Sequence, residues 1–336
     1  MTSHPHDALA KGIFGSTPAA IDQFRCALPA KVFERIDWAT LALCSGSSVD
    51  PALNKLHSDL LFSVRTRTGS ECLLYLLLEH QSTNDPLLPV RLLIYQVRVI
   101  ERFLQDHPKA GKVPPVIPVV LTHAEGGWRG SARFATSYDV DAGTLDILDG
   151  WILDFRILVD DLDATDDETL RLRTASEIAR FAWWFLKHAR HLDEELSCMR
   201  EWAKEYRALC NAPGGATALD YFLSYILENK PGRDPEAIRA LFRSLTEPGS
   251  PEETMTQKRI VSIADHLRAE GMLEGERKLA EALEGHRRAL RNLLERRFGA
   301  LGSEHLLRIQ RADAASLERW TERILDANSV SAVLED

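Results

Sequence analysis

Apolar positions recur along this chain with two different periods, and the switches between them predict its elements. From Asp7 to Leu28 they fall near helical spacing, with breaks at Gly12, Gly15 and Pro18 and a stop at Pro29. Ile36 to Cys44 reads as a first strand, and Gly46-Ser47-Ser48 as the loop after it. Two further apolar runs, about 57–65 and 72–80, flank a glycine turn at Gly69 and predict a hairpin centred on that residue. Leu87 to His107 is amphipathic, with Leu92, Tyr95, Val99 and Phe103 on one face, and Val116 to Leu121 is a continuous apolar run of a buried strand. The order helix, three strands, helix, strand predicts one mixed sheet with a right-handed crossover.

Beyond residue 122 the pattern loosens. Residues 123–150 read as loop-rich, with an aromatic pair of Trp128 and Phe134, and Ile152 to Val159 as one more strand followed by an acidic loop, Asp160 to Asp163. That loop lacks the glycine and distal glutamate of a calcium-binding EF-hand. An aromatic-rich helix is expected over 166–190, with further helices over 193–210 and 216–229. The Pro/Gly/Ser/Glu-rich stretch within 246–256 is the expected linker between a domain of residues 5–245 and a helical one of 257–336. In the latter, 254–298 reads as one or two long charged helices and 303–311 and 314–327 as shorter ones, suited to a small domain or an oligomerisation unit.

The chemistry concentrates where the hairpin strands end. Strand side chains alternate faces, so Glu79 and Gln81 share one face while Leu78 and His80 share the other. A hairpin centred on Gly69 sets Asp59 opposite Glu79, roughly 5 Å apart at Cβ. Two carboxylates so close repel unless a cation lies between them. Asp59, Glu79 and Gln81 therefore predict the protein part of a divalent-metal site whose oxygen ligands suit a hard ion such as Mg2+, with Mn2+ or Ca2+ as alternatives. Such an ion activates water and stabilises charge on a phosphate, which is the chemistry of phosphodiester hydrolysis. Gln81 stands where a lysine would ordinarily act on that water, and an amide orients water without titrating. Asp7 either completes the metal shell or stabilises its helix N-terminus. His57 is a weak base candidate. Lys11 and Arg91 are candidates for phosphate contact, Arg91 otherwise being part of a solvated helix face.

Composition narrows the partners. The net charge of -9 argues against nucleic acid, yet residues 1–130 carry 13 Lys and Arg against 12 Asp and Glu, while residues 131–260 carry 16 against 24. The acidity lies outside the segment with the candidate site, so DNA is permitted as a partner. Five cysteines without Cys-x-x-Cys or Cys/His spacing predict reduced core residues rather than disulfides or zinc. No apolar run approaches the roughly 20 residues that span a bilayer, and the start carries no signal-like segment, so a cytoplasmic protein without membrane contact is expected. P-loop, Rossmann and nucleophile-elbow motifs are absent from the sequence.

Taken together, His6-Asp7 with Lys11 and Phe14, Leu28-Pro29, Asp37-Trp38, the run from Ser58 to Val64, Leu78-Glu79-His80-Gln81-Ser82 and Arg91 to Tyr95 resemble the recombination-promoting nuclease/putative transposase family over roughly residues 5–210. The resemblance implies an α/β fold with a restriction-endonuclease-like mixed sheet, the αβββαβ core of the PD-(D/E)xK superfamily, and a helical C-terminal extension. It implies a metal-dependent DNA endonuclease with Asp59, Glu79 and Gln81 at the active-site positions, to which the reading of the residues adds Mg2+ as the ion and Asp7 as an assisting group. Thr122-His123-Ala124 departs from the Tyr-His-Gly block of relatives, which points to an altered loop beside the site. The alternative is a weak or inactive descendant of the fold that binds DNA or protein and forms a homo-oligomer through its C-terminal helices.

Overall fold

The two apolar runs around Gly69 form β2 (Ser58–Thr66) and β3 (Glu71–Glu79), the centre of a five-stranded sheet. Its other strands are β1 (Ile36–Leu43), β4 (Val116–Thr122) and β5 (Leu158–Asp161), and the spatial order is the chain order. β1 pairs with β2 and β2 with β3 antiparallel, while β3 with β4 and β4 with β5 are parallel, so the sheet is mixed. The computed structural model describes residues 5–44, 58–79, 86–188, 196–229 and 235–335, and at Asp7, Asp59 and Glu79 only the backbone. The expected loop 46–48 lies outside the described residues.

The helical stretch before the sheet is interrupted as its glycines and proline demand: α1 (Pro5–Phe14) and α2 (Thr17–Ala27) are followed by one turn, α3 (Ala30–Phe33). α4 (Leu88–Asp106) makes the crossover that a parallel β3–β4 pair requires. Alternation along the strands then builds two cores. Leu60, Phe62, Leu74, Leu76, Val119 and Leu121 face the layer holding α1 and α2. Leu61, Leu73, Tyr75 and Val120 face Leu88, Leu92, Tyr95 and Val99 of α4.

The hairpin is centred on Thr68 rather than Gly69. Asp59 therefore lies opposite Leu77, and Arg65 opposite Glu71. The loop is a three-residue one: the Gly69 N–H donates to the Thr66 carbonyl, the Thr66 N–H to the Ser70 carbonyl, and Gly69, at φ 88°, takes the left-handed third position. Glycine marks the end of this turn, not its middle, and the offset of one residue moves each partner by two.

The segment after β4 holds a short 3-10 turn (Phe134–Ser137) and α5 (Ala142–Ile147). β5 starts later than the apolar run suggested, because Phe155 and Ile157 exchange backbone hydrogen bonds with Phe134 and Ala132 instead of with β4. Phe134 stacks on Phe155 at 5.1 Å and meets Tyr138 edge-on at 5.5 Å. Asp160 and Asp161, expected in a loop, are strand residues. Asp160 is buried and held by both guanidinium nitrogens of Arg173 at 2.7 and 2.9 Å and by Gln23 Nε2 at 2.8 Å; Gln23 in turn accepts from the indole of Trp183 at 2.6 Å.

The helix expected over 166–190 is two, α6 (Asp167–Leu172) and α7 (Glu177–His188), since Arg173 leaves the helical conformation where it reaches Asp160. α8 (Leu196–Glu201), α9 (Ala203–Asn211), α10 (Gly215–Asn229) and α11 (Pro235–Arg243) complete this layer. Of residues 246–256, expected as a linker, Glu247 to Gly249 are exposed; Thr246 and Thr256 at its ends are buried, Thr256 bonds Tyr206 at 2.6 Å, and Pro251 already begins α12 (Pro251–Phe298).

The chain divides into two compact units, Met1–Ile263 and Ala264–Asp336, with the boundary inside α12. In the second unit Leu290 and Leu294 of α12 pack with α13 (Ser303–Arg311), α14 (Ala314–Arg323) and α15 (Val330–Val333) around Trp320. Of the four described free thiols, Cys72 and Cys210 are buried as expected, and burial raises both pKa values; Cys44 is half-buried and Cys26 exposed.

Candidate functional site

The candidate carboxylates stand where β2 begins and β3 ends. Asp59 precedes Leu60 and Leu61, both buried, so the strand is anchored from its third residue on. Glu79 closes β3 after an apolar run whose inner residues, Leu74 to Leu76, are buried on both faces. With Asp59 opposite Leu77, Asp59 and Glu79 are diagonal rather than direct partners. A diagonal pair stands about 7–8 Å apart. Directly paired residues share a face, and so do residues two apart on one strand. Both positions therefore fall on the face that α4 covers, with Leu61 and Tyr75.

The parallel strands extend this row. Glu79 pairs with Thr122 at the end of β4, and Thr122 with Asp161 at the end of β5. Thr122 is fully buried, and its hydroxyl accepts the Ala124 N–H at 3.2 Å. Asp161 organises the loops around it: its carboxylate accepts N–H groups from Trp128 at 2.5 Å, Asp163 at 3.1 Å and Ala164 at 3.3 Å. These bonds commit its oxygens to tying the β4–β5 connection, at Trp128, to the turn that follows β5, at Asp163 and Ala164. Neither residue stands out in the sequence as part of a site, because their neighbourhood with Glu79 is made by the parallel register.

The other candidates sort by layer. Arg91 is half-buried on α4, between the sheet-facing Leu88 and Leu92, and so belongs to the layer over Asp59 and Glu79. Lys11 is exposed on α1, whose Leu9, Ala10, Ile13 and Phe14 pack into the core on the opposite face of the sheet. Asp7 lies in the first turn of that same helix. Gln81, His57 and His80 lie outside the described residues. His123, which follows Thr122, is buried. Among the described residues no group of three His, Cys, Asp or Glu side chains is clustered to hold a metal. Nor is any helix among them long and apolar enough to cross a membrane.

Residues 4–212 match the family described as putative transposase, YhgA-like. The recombination-promoting nuclease RpnD of Escherichia coli O157:H7 is 40% identical over 122 residues, 36% of this chain and 46% of that relative. The recombination-promoting nuclease RpnA of Escherichia coli (strain K12) is 26% identical over 300 residues, 82% of this chain and 96% of the relative. The putative inactive recombination-promoting nuclease-like protein YjiP, also of strain K12, is 41% identical over 99 residues, 30% of this chain and 95% of the relative. The chain thus spans less than half of RpnD. No solved structure matches it.

Proposed function

This chain belongs to the YhgA-like putative transposase family, and on that premise we propose that it is a metal-dependent DNA endonuclease that hydrolyses phosphodiester bonds in the cytoplasm. The observation that carries the reading is the pairing of β2 with β3, which sets two acidic residues on one sheet face at neighbouring strand ends. An oxygen-only donor pair at this diagonal spacing fits a hard divalent cation. Asp59 and Glu79 are the residues that would hold it. When bound, Mg2+ supplies Lewis-acid stabilisation of the phosphate and a more acidic water.

The chain's own residues do the rest. Gln81 hydrogen-bonds and orients the attacking water but does not take its proton, so that proton leaves to a group outside the pair. Arg91, on the helix over this face, offers a guanidinium to a phosphate oxygen. Asp7 assists from α1. We read the αβββαβ order of the first unit as a restriction-endonuclease-like core. RpnD and RpnA are named nucleases, which supports the same activity here.

The test is nicking of supercoiled plasmid across a range of Mg2+ and Mn2+ concentrations. The expected result is cleavage that needs the ion and disappears in Asp59→Asn and Glu79→Gln, with the folded state checked by circular dichroism. A second reading, a DNA binder without cleavage, is favoured by Gln81 standing where a titratable lysine would act. It predicts plasmid retention in a filter-binding assay and no nicking at any ion concentration.

A further inference from the structure

A parallel strand pair is usually joined by a helix packed across the sheet, but the connection from β4 to β5 is built differently. Residues 123–157 hold one short helix, α5, and between Tyr138 and Leu153 the chain turns five large apolar side chains to water. Trp151 is 87% exposed and Ile147 79%, with Tyr138, Val140 and Leu153 exposed near them in the sequence. Single apolar residues scattered over a surface are ordinary, whereas five within sixteen residues make a patch.

The backbone beneath this patch is fixed. Phe134 and Ile157 donate their N–H groups to the carbonyls of Phe155 and Ala132 at 2.9 Å, and the Asp154 carboxylate accepts from Arg133 Nε and from the Ala135 N–H. The Tyr138 hydroxyl donates to the Leu153 carbonyl at 3.1 Å, which joins the two ends of the apolar stretch. The Trp151 N–H donates to the Leu148 carbonyl at 2.9 Å, which holds Trp151 beside the end of α5, where Ile147 lies. Side chains carried on a base tied this closely lose little conformational freedom when something covers them.

The charges select the occupant. Between Phe134 and Phe155 the chain carries five aspartates and no lysine, arginine, histidine or glutamate. Asp141 caps α5 by accepting the Thr144 N–H, and Asp149 and Asp154 share Arg133. Asp139 and Asp146 are left exposed, next in sequence to Val140 and Ile147. Such a field repels nucleic acid, whose phosphates need cations in place of their counterions, and it repels an anionic bilayer for the same reason. A second copy offering the same patch would set aspartates against aspartates. A protein segment with Lys or Arg on either side of an apolar anchor satisfies both halves of the patch. The anchor covers Trp151 and Ile147 while the cations take the exposed carboxylates, and a tryptophan alone brings about 150–250 Å² to such a contact.

We propose that the β4–β5 connection is a docking surface for a basic, apolar segment of another protein, whose anchor sits on Ile147 and Trp151 and whose cations face Asp139 and Asp146. This holds whether or not the chain is a nuclease.

The probe is a phage-displayed library of short random peptides, selected on the whole chain and in parallel on Trp151→Ala. Peptides enriched only on the wild type are expected to combine Lys or Arg with an aromatic or aliphatic residue. The most enriched of them, synthesised with a fluorescent label and followed by anisotropy, should bind about tenfold or more weakly to Trp151→Ala, and likewise to Asp139→Lys combined with Asp146→Lys. Its affinity for the wild type should fall as salt rises, and in the complex hydrogen exchange should slow at residues 138–154. All three substituted positions are exposed, so the circular dichroism spectra should not change. The proposal is overturned if no peptide separates the wild type from Trp151→Ala, if those that do carry no positive charge, or if protection falls outside 138–154. It is overturned equally if Trp151→Ala weakens binding of a single-stranded oligonucleotide or turns a dimer into monomers in sedimentation, because the patch then serves nucleic acid or a second copy.

Discussion

Asp160 shows what a single residue does when its partners come from far along the chain. Its carboxylate is taken out of water and returned two bonds from Arg173 and one from Gln23, while the Arg173 guanidinium lies 4.8 Å from the centre of the Trp183 ring. With side-chain exposures of 6% and 14%, Asp160 and Arg173 form a buried pair. Removing one member of such a pair costs about 3–5 kcal/mol, because the other charge stays buried alone. Asp160→Ala is therefore expected to lower stability by about that much in urea unfolding, and Asp160→Ala with Arg173→Met by less. Asp167 makes a pH prediction. Burial pushes its carboxyl up, but hydrogen bonds from Lys187 and His188 and the charges of those groups outweigh this and leave its pKa below the ordinary value. A depressed pKa in the folded state contributes stability above the ordinary carboxylate range, and that contribution is lost as pH falls through the folded value. Asp167→Asn should flatten the acid limb of a stability-against-pH curve measured by thermal unfolding. The acidity of residues 160–167 was plain in the sequence, but not which acids were buried, paired or capping.

Among the elements, the hairpin carries the most information about the site. Its two strands were legible because apolar runs flank a glycine, and their observed limits differ from the expected ones by a residue at each end. The register was not legible, since it depends on whether glycine occupies the middle or the end of the loop, and both loops use the same residue types. Gly69 at φ 88° holds the left-handed position, where a β-branched side chain is strained. Gly69→Val is expected to destabilise the protein by about 1–2 kcal/mol and to lower its melting temperature. The same element set the fate of the candidate metal pair: Asp59 and Glu79 remain on one face, but diagonally. The strand at 152–159 failed for a comparable reason. Ile157 is buried, with Phe155 and Val159 packed partly buried beside it, yet 155–157 pair with the chain at 132–134, a competitor that periodicity does not reveal.

At the scale of the whole molecule the chain holds separate hydrophobic cores, two around the sheet and one around Trp320. Two compact units with their own cores do not unfold as one cooperative body. Denaturation is expected to show two transitions. Trp320→Ala, which removes the largest side chain of the second unit's core, should cost about 3–5 kcal/mol in one transition and leave the other in place. Circular dichroism and hydrogen exchange, read together, separate the two.

What the sequence determined by itself is what local chemistry controls: the periods that make strands and helices, the prolines and glycines that end them, the order of helix, three strands, helix and strand, and the family resemblance carried by its motifs. Tertiary structure alone decided the partners: Leu77 rather than Glu79 opposite Asp59, Thr122 and Asp161 in line with Glu79, Arg173 and Gln23 around Asp160, and Thr256 against Tyr206. The physical reason is reach. Periodicity reports the few neighbours of a residue along its own element, whereas register, burial and pairing are settled by groups tens to more than a hundred positions away, competing for the same hydrogen bonds and the same apolar surface.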